Sequence, residues 1–107
     1  MIALIAFTRR GCALGRRLAE KLPGTLYTTA RLSEAERLPA ADLAAWTAAR
    51  FLDSEALVFI SAAGIAVRAI APFVKDKFTD PAVVSVDEAG RFAVPLLSGH
   101  VGGGNDL

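Results

Sequence analysis

"ALVFISAAGIAVRAIAP", residues 56–72, decides the fold. Ala56–Ile60 is an unbroken apolar run of strand length. No polar residue alternates through it, so both faces of the strand must be covered, as in the middle of a parallel sheet. The run passes straight into "SAAG", where Ser61 is a candidate helix cap. "IAVRAIA" (Ile65–Ala71) then reads as a short helix stopped at Pro72, which has no N–H to continue it. A buried strand feeding a helix is half of a strand–helix–strand unit, and such units close with right-handed crossovers.

Toward the amino terminus the same grammar repeats. "IALIAF" (Ile2–Phe7) is a second buried-type strand, bounded by "TRRG". Cys12–Leu22 carries Leu14, Leu18 and Leu22 at i, i+4 and i+8. Arg16, Arg17, Glu20 and Lys21 fall mainly elsewhere, giving an amphipathic helix ended by Pro23-Gly24. "TLYTT" (Thr25–Thr29) is β-branched and half polar, a strand nearer an edge. "SEAE" (Ser33–Glu36) has capping-box spacing and starts a helical turn that Pro39 interrupts. Asp42 caps a further helix through about Leu52, with Leu43, Trp46 and Phe51 inward.

Toward the carboxyl terminus, "AVVSV" (Ala82–Val86) and "RFAVPLL" (Arg91–Leu97) flank "DEAG", a hairpin in which Gly90 supplies the turn conformation. The closing "NDL" reads as the start of another helix, so the chain is expected to be a fragment of a longer protein. The elements add up to an α/β fold: one three-layer domain over residues 1–107. Its mainly parallel sheet has about five strands, with helices on both faces and a C-terminal β-hairpin.

Composition narrows the function classes. Hydrophobic residues make up 53% of the chain, enough for a real core, and the formal net charge is +1. That balance exerts no global pull toward nucleic acid or a membrane surface, so neither is expected as a partner. Cys12 is the single cysteine, which excludes an intrachain disulfide and fits a reducing cytoplasm. "MIALIAF" is short and lacks a preceding basic region, unlike a signal peptide, and no run approaches the roughly 20 apolar residues of a membrane span.

Open α/β sheets bind ligands beyond the carboxyl ends of their strands. By that rule three segments are expected to share one rim: "TRRG", "SAAG" and "SGHVGGGND". Arg9 and Arg10 can hold carboxylates or phosphates, or be a solvated basic turn. Cys12 at a helix start is better read as packing than as a reactive thiolate. Gly64 lets a ligand approach the helix that carries Arg68; the plain alternative is an ordinary cap. Lys75 and Lys77 sit in a mixed-charge loop where Asp80 shapes the turn before Pro81.

In the last segment Gly99, Gly102, Gly103 and Gly104 free backbone N–H groups to cradle an anion or an oxyanion. His100, the sole histidine, is a candidate general acid or base, and Ser98 a nucleophile or hydrogen-bonding partner. The alternative is a bare glycine tail. Neither the phosphate-loop lysine motif nor G-x-S-x-G is present. Ser98 and His100 stand too close in sequence for a standard triad with Asp80 or Asp106. One histidine and one cysteine do not make a protein-built zinc site, so no metal ligands are assigned.

"GIAVRAIAP" (Gly64–Pro72) and "KDKFTDPAVVSVDEAGRFAVPLLSGHVGGGND" (Lys75–Asp106) resemble the N-terminal region of the CbiG family, the cobalt-precorrin-5A hydrolases of cobalamin biosynthesis. The resemblance is close over residues 57–107; the first half matches only in its strand–helix layout. "LLSGHVGG" followed by Asn105 is its most specific part, and Gly104 departs from the alanine usual there. The resemblance implies hydrolytic opening of the δ-lactone on a ring-contracted cobalt corrinoid, with acetaldehyde leaving. It implies an anionic tetrapyrrole as substrate, other cobalamin-pathway enzymes as partners, and no separate cofactor, since the cobalt arrives in the substrate. Under it Ser98 and His100 are the catalytic candidates. Arg9, Gly64, Arg68, Lys75, Lys77, the glycines and Asn105 contact substrate. Two other readings stay open: a non-catalytic tetrapyrrole-binding module, and a phosphate- or nucleotide-binding domain.

Overall fold

Strand formation follows the apolar runs. In the computed structural model, which describes residues 1–29 and 42–98, Ile2–Ala6 (β1) and Ala56–Ile60 (β3) lie side by side in parallel. Thr25–Thr28 (β2) pairs with the outer side of β1, and Ala82–Val86 (β4) with the outer side of β3, both parallel. Ala93–Ser98 (β5) adds antiparallel to β4. The five-stranded order is β2-β1-β3-β4-β5. The α/β class, the parallel centre and the C-terminal hairpin are thus those expected.

Among the described residues, three helices connect the strands: Arg9–Lys21 (α1), Leu43–Asp53 (α2) and Ala63–Ile70 (α3). Leu4, Ala6, Val58 and Ile60 face α1 through Cys12 and Leu14. Ala3, Ile5, Leu57, Phe59 and Val83 face the other way, against Trp46 of α2 and Ala66 and Ile70 of α3. Alternate residues of β1 and β3 therefore feed opposite cores, which is why those runs carry no polar alternation. Cys12 is buried in the first core, the packing role expected of it.

Several boundaries differ from the sequence expectation, among them the start of β5, at Ala93 rather than Arg91. α1 starts at Arg9, not Cys12, because Thr8 is extended and its Oγ1 accepts from Gly11 N at 3.0 Å. α3 starts at Ala63, which puts Ser61 one residue before the cap. Ser61 Oγ donates to the Ala62 carbonyl at 3.0 Å and makes no cap bond. Pro72 lies inside a 3₁₀ turn, Ala71–Phe73, because the Ala71 N–H ahead of it still reaches the Val67 carbonyl. Asp42 caps α2 as expected, accepting from Ala44 N at 2.9 Å. Asp80 shapes its loop by accepting from the amides of Lys75 and Asp76 at 2.7 and 3.1 Å. The turn proposed for Ser33–Glu36 lies outside the described residues.

Candidate active-site cleft

The chain leaves β1 toward one side of the sheet and β3 toward the other, so the carboxyl ends of these neighbours diverge. Such a switch point opens a crevice between the two strand–helix turns. Here the crevice is a cavity of about 420 Å³ with three walls. Phe7, Thr8 and Arg10 come from the β1–α1 turn, and Ile60, Ser61, Ala62 and Ile65 from the β3–α3 turn. Asp87, Glu88, Ala89 and Arg91 come from the β4–β5 turn.

Each wall is held by local chemistry. Thr8 Oγ1, already the cap of α1, donates across the mouth to Glu88 Oε1, tying the first turn to the hairpin 80 residues on. Ser61 N donates to the Val86 carbonyl at 3.0 Å, and Ser85 Oγ to the Ser61 carbonyl at 3.1 Å, so the second wall is bonded to β4. Gly90 adopts φ +72°, a left-handed conformation that glycine enters without a β-carbon clash. Asp87 knits the same turn, accepting from Phe92 N at 2.7 Å and from Ala89 N at 3.3 Å.

The Phe92 amide, helped by those of Arg91 and Ala89 and by the Arg91 charge, holds the Asp87 carboxyl below the ordinary 3.8. A depressed carboxyl stabilises the fold above its unfolded pKa, and that contribution disappears as pH falls through the folded value. The hairpin turn is therefore expected to loosen only below about pH 4. Carboxyl NMR should give Asp87 a midpoint under the ordinary value, and Asp87→Asn should abolish the hairpin's acid transition. A midpoint at or above 3.8 would contradict the amide contacts to Asp87.

The residues singled out in the sequence do not all meet. Arg9 opens α1 beside the cleft, while its neighbour Arg10 lines it. Gly64 is exposed in the first turn of α3 with open space around it, and Arg68 lies exposed one turn on, away from the cleft lining. Lys75 and Lys77 belong to the loop entering β4, at the amino edge of the parallel strands. Ser98 is in register with Ala82, the first residue of β4, and so stands at that amino edge too. At about 3.3 Å per residue over the length of β4, Ser98 is about 13 Å from the level of the cleft. The expectation of one shared rim holds for "TRRG" and "SAAG", whose residues line one cleft, and is corrected for Ser98: β5 is antiparallel, so Ser98 stands away from the cleft and the turn before β5 points toward it. Gly99, His100, Gly102, Gly103, Gly104 and Asn105 lie outside the described residues.

Sequence reasoning placed Ser61 on the rim only as a helix cap, left Asp87 and Glu88 as a hairpin turn, and counted Arg91 as the start of a strand. The signal was present. Once "DEAG" is a hairpin turn closing an antiparallel strand, it must fall at the carboxyl edge.

Comparison with known proteins places this chain in a family. Residues 45–107 match the family model described as Cobalamin synthesis G N-terminal. The cobalt-precorrin-5A hydrolase of Salmonella typhimurium (strain LT2) is 50% identical over 107 residues, covering 99% of this chain and 30% of that protein. The cobalt-precorrin-5A hydrolase of Priestia megaterium is 49% identical over 57 residues, 53% of this chain and 15% of that protein. The crystal structure of a cobalamin biosynthesis protein G homolog from Sulfolobus solfataricus superposes with a TM-score of 0.72 at 29% identity, covering 98% of this chain and 31% of that one. The chain thus spans under a third of the length of these relatives. The similarity also runs through the first half of the chain, where the sequence suggested a shared layout only. With the family model matching more than half of the chain and the fold shared, the protein belongs to the cobalamin synthesis G N-terminal family.

Proposed function

We propose that this chain is the amino-terminal part of a cobalt-precorrin-5A hydrolase. It opens the δ-lactone of a ring-contracted cobalt corrinoid with loss of acetaldehyde, and works in the cytoplasm beside other cobalamin-pathway enzymes. The observation that carries the reading is 50% identity, sustained over 107 residues, to a protein of that activity. The switch-point cleft supports it: an open cavity walled by Phe7, Ile60 and Ile65, with two arginines at its mouth, suits one edge of an anionic macrocycle. The cobalt enters as part of the substrate.

Water attacking the lactone carbonyl develops an oxyanion. The amides of Gly99 and Gly102–Gly104 are the groups proposed to stabilise it, with His100 taking the proton from water and returning it to the leaving oxygen. The test is acetaldehyde release from cobalt-precorrin-5A by the full-length protein, followed by coupled reduction of the aldehyde. His100→Ala is expected to lower turnover by about 10²–10⁴-fold, the usual worth of a positioned acid–base group. Unchanged turnover would remove His100 from the mechanism.

A second reading has its own support. Because the chain spans only 30% of the Salmonella relative, catalysis can reside in the remainder while this domain holds the tetrapyrrole. Corrinoid binding that survives His100→Ala, together with loss of turnover on changing residues elsewhere in the full-length protein, favours this module.

A further inference from the structure

We propose that the switch-point cleft is a carboxylate-binding subsite, occupied in the free protein by the side chain of Glu88. This rests on the tetrapyrrole reading above for the identity of the ligand, but not for the chemistry of the site.

Among the described residues, four charged side chains line the cavity: Arg10, Asp87, Glu88 and Arg91. Their engagements are unequal. Asp87 is spent on its own turn, its two oxygens accepting from the amides of Phe92 and Ala89. Glu88 reaches out of that turn to the hydroxyl of Thr8. Arg10 and Arg91 are exposed and come from different elements; among the described residues neither closes an ion pair, although the Arg91 charge acts on Asp87. Two cationic forks thus flank a cavity in which the one loosely committed group is a carboxylate. Around them Phe7, Ile60 and Ile65 supply an apolar wall, which suits the methylenes behind a propionate or acetate group.

The contact between Thr8 and Glu88 sets the exchange. Thr8 Oγ1 accepts from Gly11 N, so its single proton is the group's one donor and serves one carboxylate at a time. An incoming carboxylate that takes this proton releases Glu88 toward solvent and pairs with Arg10 and Arg91. The first turn of α1 holds no acidic residue to compete for that position. Glu88 is then a stand-in that keeps the cleft shaped and sets a threshold for binding. A ligand must offer a better-placed carboxylate than the one the protein provides.

The test uses the full-length protein with two corrinoid probes: cobyrinic acid, with free peripheral carboxylates, and its methyl-esterified form. Arg10→Gln and Arg91→Gln are each expected to weaken binding of the acid by about tenfold and leave the ester unaffected. Glu88→Gln is expected to tighten the acid by about threefold, because the competing charge is gone. Both arginines are exposed, so unfolding does not confuse the result. A third arm titrates propionate while the amide resonances of Thr8, Gly11 and Ala89 are followed. Shifts confined to these residues uphold the subsite even if cobyrinic acid fails to bind, in which case the tetrapyrrole reading is what falls. Tight cobyrinic acid binding that ignores all three substitutions overturns the subsite and leaves the tetrapyrrole reading standing. No propionate response and no corrinoid binding overturns both.

Discussion

Replacing Phe59 by alanine is expected to destabilise the protein by about 4 kcal/mol. Phe59 lies at the middle of the sheet, in β3 between β1 and β4, and is 0% exposed. Its ring meets Trp46 edge-on, with centroids 5.9 Å apart and planes at 88°. Trp46 in turn meets Tyr27 at 5.5 Å. Truncation removes the transfer energy of a buried ring and leaves a void that two strands and α2 cannot collapse into. It also breaks the aromatic chain that ties the central strand to α2 and β2, worth about 1 kcal/mol of that total. Urea unfolding should show the loss as a lower midpoint with an unchanged slope. Phe78→Ala is the control: that ring is 60% exposed and should change stability by less than about 0.5 kcal/mol. Equal effects from the two would mean the core is not organised around β3.

Ala62→Trp is expected to cut turnover of the full-length protein by about 100-fold or more while leaving its stability nearly unchanged. Ala62 is exposed, caps α3 through its backbone alone, and lines the cavity of about 420 Å³. An indole there projects from the β3–α3 turn into the space a ligand would fill, without touching either core. Displacing a reacting group by even about 1 Å costs rates on the order of 10². The experiment discriminates between the two edges of the sheet. Ser98, Lys75 and Lys77 lie at the amino edge, so chemistry confined there would not respond to a block at Ala62. Turnover falling as expected, with an unchanged thermal midpoint, assigns substrate contact to the carboxyl edge. Full activity in Ala62→Trp removes the cleft from the reaction.

Much of this molecule was readable from periodicity. The runs Ile2–Phe7 and Ala56–Ile60 are apolar at every position because opposite faces of each strand enter opposite cores. Leu14, Leu18 and Leu22 recur at one-turn intervals because one side of α1 lies on the sheet. Helix starts were less legible. "TRRG" looks like a loop, yet the hydroxyl of Thr8 satisfies the Gly11 amide and lets two arginines begin a helix, a position the macrodipole disfavours for cations. Gly15 fits there because a β-carbon would come within 2.6 Å of Leu26 Cδ1, an approach invisible until β2 and α1 are placed together.

The amino-acid sequence by itself determined the class of the fold, the alternation of strands and helices, the hairpin at Gly90 and the family to which the chain belongs. These depend on local periodicity, on turn chemistry and on strings of residues, all of which are one-dimensional. Which residues share an edge was decided only by tertiary structure. Strand direction is a relation between segments: reversing β5 sends Ser98 to one end of the sheet and carries Asp87, Glu88 and Arg91 to the other. Thr8 and Glu88, 80 residues apart, meet because the sheet sets β3 and β4 beside β1 in that order, and nothing local to either residue records the meeting.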